Sequence, residues 1–210
     1  RSRANISDSF LSSWIILSLI SSCFLSSFFL SSFLVSLSLA ITDAPLILNR
    51  AKKAAELGVK LSIDINFSER IWPNREEAKT VIAEYLSNDP LLKFSEDDCY
   101  RLFAEVKSED YIFDYFHGLG VTTICLTKGK NGVVVSDLNN GLFFQKALGI
   151  QEIKDTTGAG DAFWTGFLYV QIQNKTIEES MSIAQKLATI KLQNVGRLPD
   201  NINLNQILQG

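Results

Sequence analysis

The 210 residues carry a formal net charge of −3, with 46% hydrophobic and 20% charged side chains. This length suits one substantial domain, or one domain with an appendage, and the mild acidity gives no electrostatic ground for a nucleic-acid partner. Three scattered cysteines, Cys23, Cys99 and Cys125, and the single His117 form neither a disulfide framework nor a zinc ligand set, so a reducing cytoplasm is the expected compartment.

Two unlike segments follow one another. From Ser9 to Ala40 the chain is almost wholly Ser, Leu, Phe and Ile, and no charge occurs between Asp8 and Asp43. An uncharged apolar run of this length is long enough for a bilayer span, which needs about 20 residues. It is too long for a secretory core of about 7–15 residues, and its paired serines read as low complexity. Residues 1–41 are therefore taken as an apolar, low-complexity or membrane-like segment, aberrant, membrane-bound or buried, and residues 42–210 as an α/β portion with mixed charges.

Within that portion, Leu46 to Leu57 has helical apolar spacing, stops at Gly58 and leads into a strand over Val59 to Asp64. Asn74 is placed to cap a helix from Arg75 to Leu86. Leu91 to Phe94 reads as a strand, after which Ser95 caps a helix with Asp97 and Asp98 in its first turn. A helix over Ser108 to His117 ends at Gly118, with His117 as an ordinary helix-end residue. Val121 to Leu126 is a β-branched strand, Lys130-Asn131-Gly132 a turn, and Val133 to Val135 and Leu142 to Phe144 are strands. Two helices, Ala159 to Gln173 and Ile177 to Gln193, close the chain. Alternation of strands and helices predicts a mainly parallel sheet covered on both faces, with chemistry in the loops after Leu126 and after Ile153.

The strongest chemical signal is Asp155-Thr156-Thr157-Gly158-Ala159-Gly160-Asp161-Ala162-Phe163. Its glycines permit a tight turn, and the helix that follows points unpaired N–H groups and a positive dipole end into it, as phosphate oxygens require. An acid in the first turn of that helix can take the proton of an attacking hydroxyl. A bare Gly-Ala-Gly-Asp is also just a good helix start; the nine-residue order, after an expected strand and before an expected amphipathic helix, points to chemistry. No Walker A loop occurs.

These nine residues resemble the C-terminal signature of the ribokinase/fructokinase, or PfkB-type, family of sugar kinases. The resemblance implies that Asp161 is the catalytic base and that the N–H groups of Gly158, Ala159 and Gly160 form the anion hole. It further implies that Asp155 and the carbonyl of Thr157 hold a monovalent cation, potassium in the simplest case. Thr127-Lys128-Gly129-Lys130-Asn131-Gly132 resembles the nucleotide loop, with Thr127, Gly129 and Gly132 toward ATP, and Val195 to Pro199, with Gly196, resembles the segment closing the adenine pocket. Asp64-Ile65-Asn66 followed by Trp72-Pro73 resembles the D-x-N-x-R-x-x-x-W segment of fructokinases and related sugar kinases.

The resemblance covers about 44–209 and implies a ribokinase-like three-layer α/β/α fold, its N-terminal part missing or replaced, because no G-G-x-x-x-N sugar motif occurs before Thr42. It also implies Mg²⁺, a small-molecule sugar and ATP as ligands, and a homodimer. The departures are specific. Ser68 stands where Arg is usual; Ser95 and Asp98 replace the Asn and Glu of the motif that organises Mg²⁺ indirectly; Gln185 and Arg197 stand where Asn and Ala are commoner. A fructokinase-like, ATP-dependent sugar kinase is the leading expectation, with this chain alone weak or inactive. A non-catalytic kinase-like interaction protein and a membrane-tethered kinase are the alternatives.

Overall fold

The structure, a computed structural model, describes residues 33–34, 44–199, 202–203 and 207. Apart from Phe33 and Leu34, the apolar segment and Cys23 lie outside the described residues. The chain divides into two compact units, one over residues 31–147 and one whose described part begins at Leu148.

The first unit is built on a six-stranded sheet, β1 (Phe33–Leu34), β2 (Leu61–Asp64), β3 (Leu91–Ser95), β4 (Thr123–Thr127), β5 (Val133–Asp137) and β6 (Gly141–Gln145), in that spatial order. The first four strands run parallel and the last two pairings are antiparallel. The parallel pairings need crossovers, supplied by helices α1 (Ala44–Glu56), α2 (Arg75–Leu86), α3 (Glu96–Phe103) and α4 (Glu109–Gly118). The antiparallel pairings need only short turns.

Sequence fixes the helix starts locally. Asn74, Ser95 and Ser108 each accept hydrogen bonds from first-turn N–H groups, and acids follow in each first turn. Strand alternation then sorts the side chains. Ile63, Leu92, Phe94, Ile124, Leu126 and Val134 join one buried cluster with Leu48, Ile82, Tyr85, Leu102 and Phe116 from the four helices. Phe94 meets Phe116 edge to face at a 4.8 Å centroid separation. The intervening residues Asp64, Lys93, Cys125, Val135 and Phe143 form a rung across the sheet on its other face.

That rung holds a charged pair within an otherwise apolar strand pattern. Lys93 Nζ lies 2.6 Å from Asp64 Oδ2, and both side chains are buried. A buried ammonium or carboxylate is costly alone, so the two charges are tolerated as a pair. One rung further out, Thr123 Oγ1 donates to Asp137 Oδ2 at 2.6 Å. Burial raises the Asp137 pKa, but the hydroxyl of Thr123 and the N–H groups of Asn139 and Asn140 outweigh it and leave it below its usual value. His117 is structural too: Nδ1 faces the Val121 carbonyl at 2.7 Å and Nε2 the Ser136 hydroxyl at 2.8 Å. Cys99 and Cys125 are free, buried thiols whose pKa burial pushes up, which makes them unreactive.

The second unit is a helix pair, α5 (Ala159–Gln171) and α6 (Ile177–Leu192). Thr176 and Glu179 form a complete capping box at the start of α6. The helices approach closely where Gly166 faces Ala184: a Cβ on Gly166 would lie 2.9 Å from Ala184 Cα. Trp164 stacks on Phe167 at 5.2 Å. The strand expected to end at Ile153 is not formed: no strand occurs from 146 to 158, and Ile153 is exposed. The N–H groups of Lys154 and Asp155 instead donate to the carbonyl of Leu192, at 2.8 and 3.3 Å, satisfying a helix-end acceptor rather than a sheet edge. Helix α5 is also less amphipathic than expected, being buried over most of its circumference.

Candidate active site in the Gly158 turn

Asp155 organises the turn. Its Oδ1 accepts from the Thr157 N–H at 2.9 Å; its Oδ2 accepts from Lys191 Nζ at 3.1 Å and from the Gly196 N–H at 3.2 Å. The N–H of Thr157 foremost, then the Lys191 ammonium, the Thr157 hydroxyl and the Gly196 N–H, hold its carboxyl well below the usual carboxylate range. Gly158 then takes φ +76°, a left-handed conformation that glycine adopts without strain, and α5 begins at the next residue.

This geometry leaves donors at the helix start. Ala162 N–H closes the first helical bond onto the Gly158 carbonyl at 2.9 Å. Ala159 N–H turns back to the Thr156 carbonyl at 3.2 Å, so of the three expected anion-hole donors this one is already engaged. Among the described residues, the N–H groups of Gly158, Gly160 and Asp161 carry no hydrogen bond. They are the uncapped donors of a helix N-terminus that has no side-chain cap.

Asp161 stands beside these donors. It is half-buried in the first turn of α5, and its Oδ2 lies 4.0 Å from where a Gly158 Cβ would project. Its backbone carbonyl is tied to the Thr165 hydroxyl at 2.8 Å, while its carboxylate has no partner among the described residues. A carboxylate with free oxygens next to free backbone donors can accept a proton from a hydroxyl while an anion binds alongside.

The other expected residues fall in the first unit, apart from Gly196. Thr127 ends β4 and Gly129 opens a short 3₁₀ turn (Gly129–Asn131) with φ +52°, exposed and with open space on its Cβ side. Gly132 differs: it is buried, and a Cβ there would lie 2.1 Å from the Gln145 carbonyl oxygen, so backbone packing already demands glycine. Ser95 Oγ caps α3 through Asp98 N–H at 3.0 Å and meets Asp98 Oδ2 at 2.5 Å, while Arg101 holds Asp98 Oδ1 at 2.5 Å. The buried Asp98 carboxylate is thus engaged on both oxygens within its own helix turn, which does not fit a direct Mg²⁺ ligand; the role expected of Ser95 and Asp98 is an indirect one. Among the described residues no group of three or more His, Cys, Asp or Glu is placed to hold a metal. Gly196, in the second unit, is exposed and donates to Asp155; Gln185 is buried and accepts from Leu148 N–H at 3.1 Å.

A family model described as pfkB family carbohydrate kinase matches residues 26–202. The chain belongs to this family. Among similar proteins, the ATP-dependent 6-phosphofructokinase of Thermoanaerobacterium thermosaccharolyticum is 30% identical, the match covering 77% of this chain and 48% of that protein. The 2-dehydro-3-deoxygluconokinase of Haemophilus influenzae is 27% identical over 81% of this chain and 55% of its own length. The chain therefore spans about half the length of the curated relatives it matches. A solved structure of aminoimidazole riboside kinase from Salmonella enterica, complexed with aminoimidazole riboside and an ATP analog, is 27% identical with a TM-score of 0.72, covering 85% of this chain and 62% of that one. The fold is ribokinase-like α/β, as the resemblance implied.

Two residues that pattern reading passed over belong beside these. Lys93 and Lys191 are the two lysines buried among the described residues, and each is paired with an aspartate of a segment singled out from the sequence, Asp64 and Asp155. The available signal was a lysine inside an otherwise apolar strand or helix face.

Proposed function

We propose that this chain carries the phosphoryl-transfer machinery of an ATP-dependent kinase acting on a sugar hydroxyl, with fructose the first acceptor to test. The observation that carries the reading is the Asp161 carboxylate, partner-free among the described residues, in the first turn of α5 beside the uncapped N–H groups of Gly158 and Gly160. In this role Asp161 accepts the proton of the attacking hydroxyl. The backbone donors of the turn stabilise charge on the transferring phosphate, so catalysis rests on positioning and electrostatics. Ala159 contributes its place in the turn, and its own N–H only after releasing Thr156.

The Thr127–Gly132 segment is assigned to the nucleotide, with Gly129 as its accessible glycine, and Gly196 to the adenine side. Magnesium bound with ATP would supply charge neutralisation at its phosphates; Ser95 and Asp98 serve first to start α3 and hold Arg101. The acceptor preference rests on Asp64-Ile65-Asn66 and Trp72-Pro73, where the buried Asp64–Lys93 pair and buried Trp72 fix the segment. We assign residues 42–210 to the kinase portion. Among the described residues no helix is long and apolar enough to cross a membrane.

A coupled assay of the purified chain with ATP and fructose, 2-dehydro-3-deoxygluconate and aminoimidazole riboside in parallel tests the reading. Turnover of one acceptor that Asp161→Asn abolishes supports it. Turnover that survives this substitution, or no binding of an ATP analog by the wild-type chain, refutes it.

A further inference from the structure

We infer that the ammonium group of Lys191 is the built-in cation of the Asp155 loop, standing on the Asp155 carboxylate where a monovalent metal ion is expected, so that the Gly158 turn is organised without potassium. The last clause matters for catalysis only through the proposed kinase reading; the cation site itself does not depend on it.

Both oxygens of the Asp155 carboxylate are already engaged. Thr157 N–H occupies Oδ1, and Lys191 Nζ and Gly196 N–H share Oδ2. Lys191 Nζ also donates to the Asn194 carbonyl at 3.3 Å. One ammonium thus ties together the loop before α5 and the segment after α6, gathering a carboxylate and a carbonyl oxygen as a coordinated metal ion would. A potassium ion brought to the same oxygens would meet a like charge at contact distance.

Three further features favour the tethered cation. Lys191 lies in the last turn of α6, where the helix dipole and unpaired carbonyls stabilise positive charge. Its side chain is only 6% exposed, a placement lysine tolerates when its charge is matched by a fixed partner. Its Cε stands 3.6 Å from where a Gly158 Cβ would project, so the stem packs directly against the left-handed turn. Lys191 is accordingly a positioning residue: it acts on the turn through Asp155 and does not itself touch the reacting groups.

The test compares melting of the full chain in potassium chloride and in tetramethylammonium chloride at equal ionic strength, because the larger ion cannot enter a metal-sized site. Wild type is expected to melt at the same temperature in both salts and to give no bound thallium-205 signal, thallium being a potassium mimic. Lys191→Gln, which empties the position while keeping a polar head, is expected to melt lower in tetramethylammonium and to recover specifically in potassium. A potassium-specific stabilisation of wild type overturns the inference, as does a thallium signal in wild type that potassium displaces, or a folded Lys191→Gln that melts alike in both salts. If Lys191→Gln folds in neither salt, the wild-type thallium measurement decides. None of these readouts involves ATP or sugar, so the inference and the kinase reading fail separately.

Discussion

The Thr127–Gly132 loop and the Asp155–Asp161 loop both drew attention as glycine-bearing turns before or after a sheet element, and they turn out to be built in opposite ways. In the first, Gly132 is needed by the fold: backbone of Gln145 and Ala147 stands 2.1 and 2.9 Å from where a Cβ would be. In the second, Gly158 meets nothing closer than the flexible stem of Lys191 at 3.6 Å, and the N–H groups of Gly160 and Asp161 beyond it are open among the described residues. Gly132 thus serves tight packing, and Gly158 leaves access. A glycine surrounded by backbone reports on folding; a glycine beside N–H groups and a carboxylate that have no partner among the described residues is the place to test for chemistry.

The largest expected effect tests the second half of that contrast. Asp161→Asn should reduce turnover by about 10²–10⁴-fold in the catalytically active protein, the range of general-base catalysis, while ATP-analog affinity and Tm stay near wild type. Asparagine keeps the size and local hydrogen-bonding capacity but cannot take a proton at neutral pH. Steady-state kinetics and calorimetry on the same variant separate a lost base from a lost fold; a rate within about tenfold of wild type contradicts the assignment.

Gly132→Ala tests the first half. The added methyl collides with backbone that cannot step aside and sits at φ +102°, so the variant should lose about 3 kcal/mol or more in denaturant unfolding. Gly158→Ala should cost only about 1–2 kcal/mol, from the left-handed conformation alone, since the nearest atom is at ordinary contact distance. Its effect on turnover should exceed its effect on stability. Equal stability losses at the two glycines would erase the distinction between the loops.

The smallest effect is electrostatic. Asp155 has a folded-state pKa depressed below its unfolded value of about 3.9, so its contribution to stability is present above that pH and is lost as pH falls through the folded value. Carboxyl carbon-13 shifts should show Asp155 still ionised below about pH 4, where ordinary aspartates are protonated, and Lys191→Met should move its titration upward. An Asp155 that titrates like an exposed aspartate would show that the loop is not held by the donors seen here.

Much of this was legible in the chain. Helix starts at Asn74, Ser95 and Ser108 and the capping box at Thr176 are local, because the cap and the N–H groups it serves lie within three residues of one another. Apolar periodicity placed β2 to β6, with β2 starting two residues late and β4 shifted toward Thr127, but it gave no sign of β1 in the serine-rich segment. The nine-residue signature placed Asp161 behind a left-handed glycine at a helix start, since spacing along a helix is also spacing in space.

Other features had no local signal. That residues 146–158 form no strand depends on where Lys154 and Asp155 send their N–H groups, to Leu192 at the far end of α6. That Ala159 N–H is engaged, that Gly132 is walled in by residues 145–147, and that Lys93 and Lys191 find Asp64 and Asp155 are likewise matters of which distant groups meet. By itself, the sequence determined the family, the order of the elements from Ala44 to Gln145 and the identity of the acid at the turn, because these depend on short-range spacing and residue chemistry. Tertiary structure alone decided which of those residues remain open to a ligand and which are already satisfied, because hydrogen-bond and charge partners 29 or 36 residues away are chosen by packing, not by sequence neighbourhood.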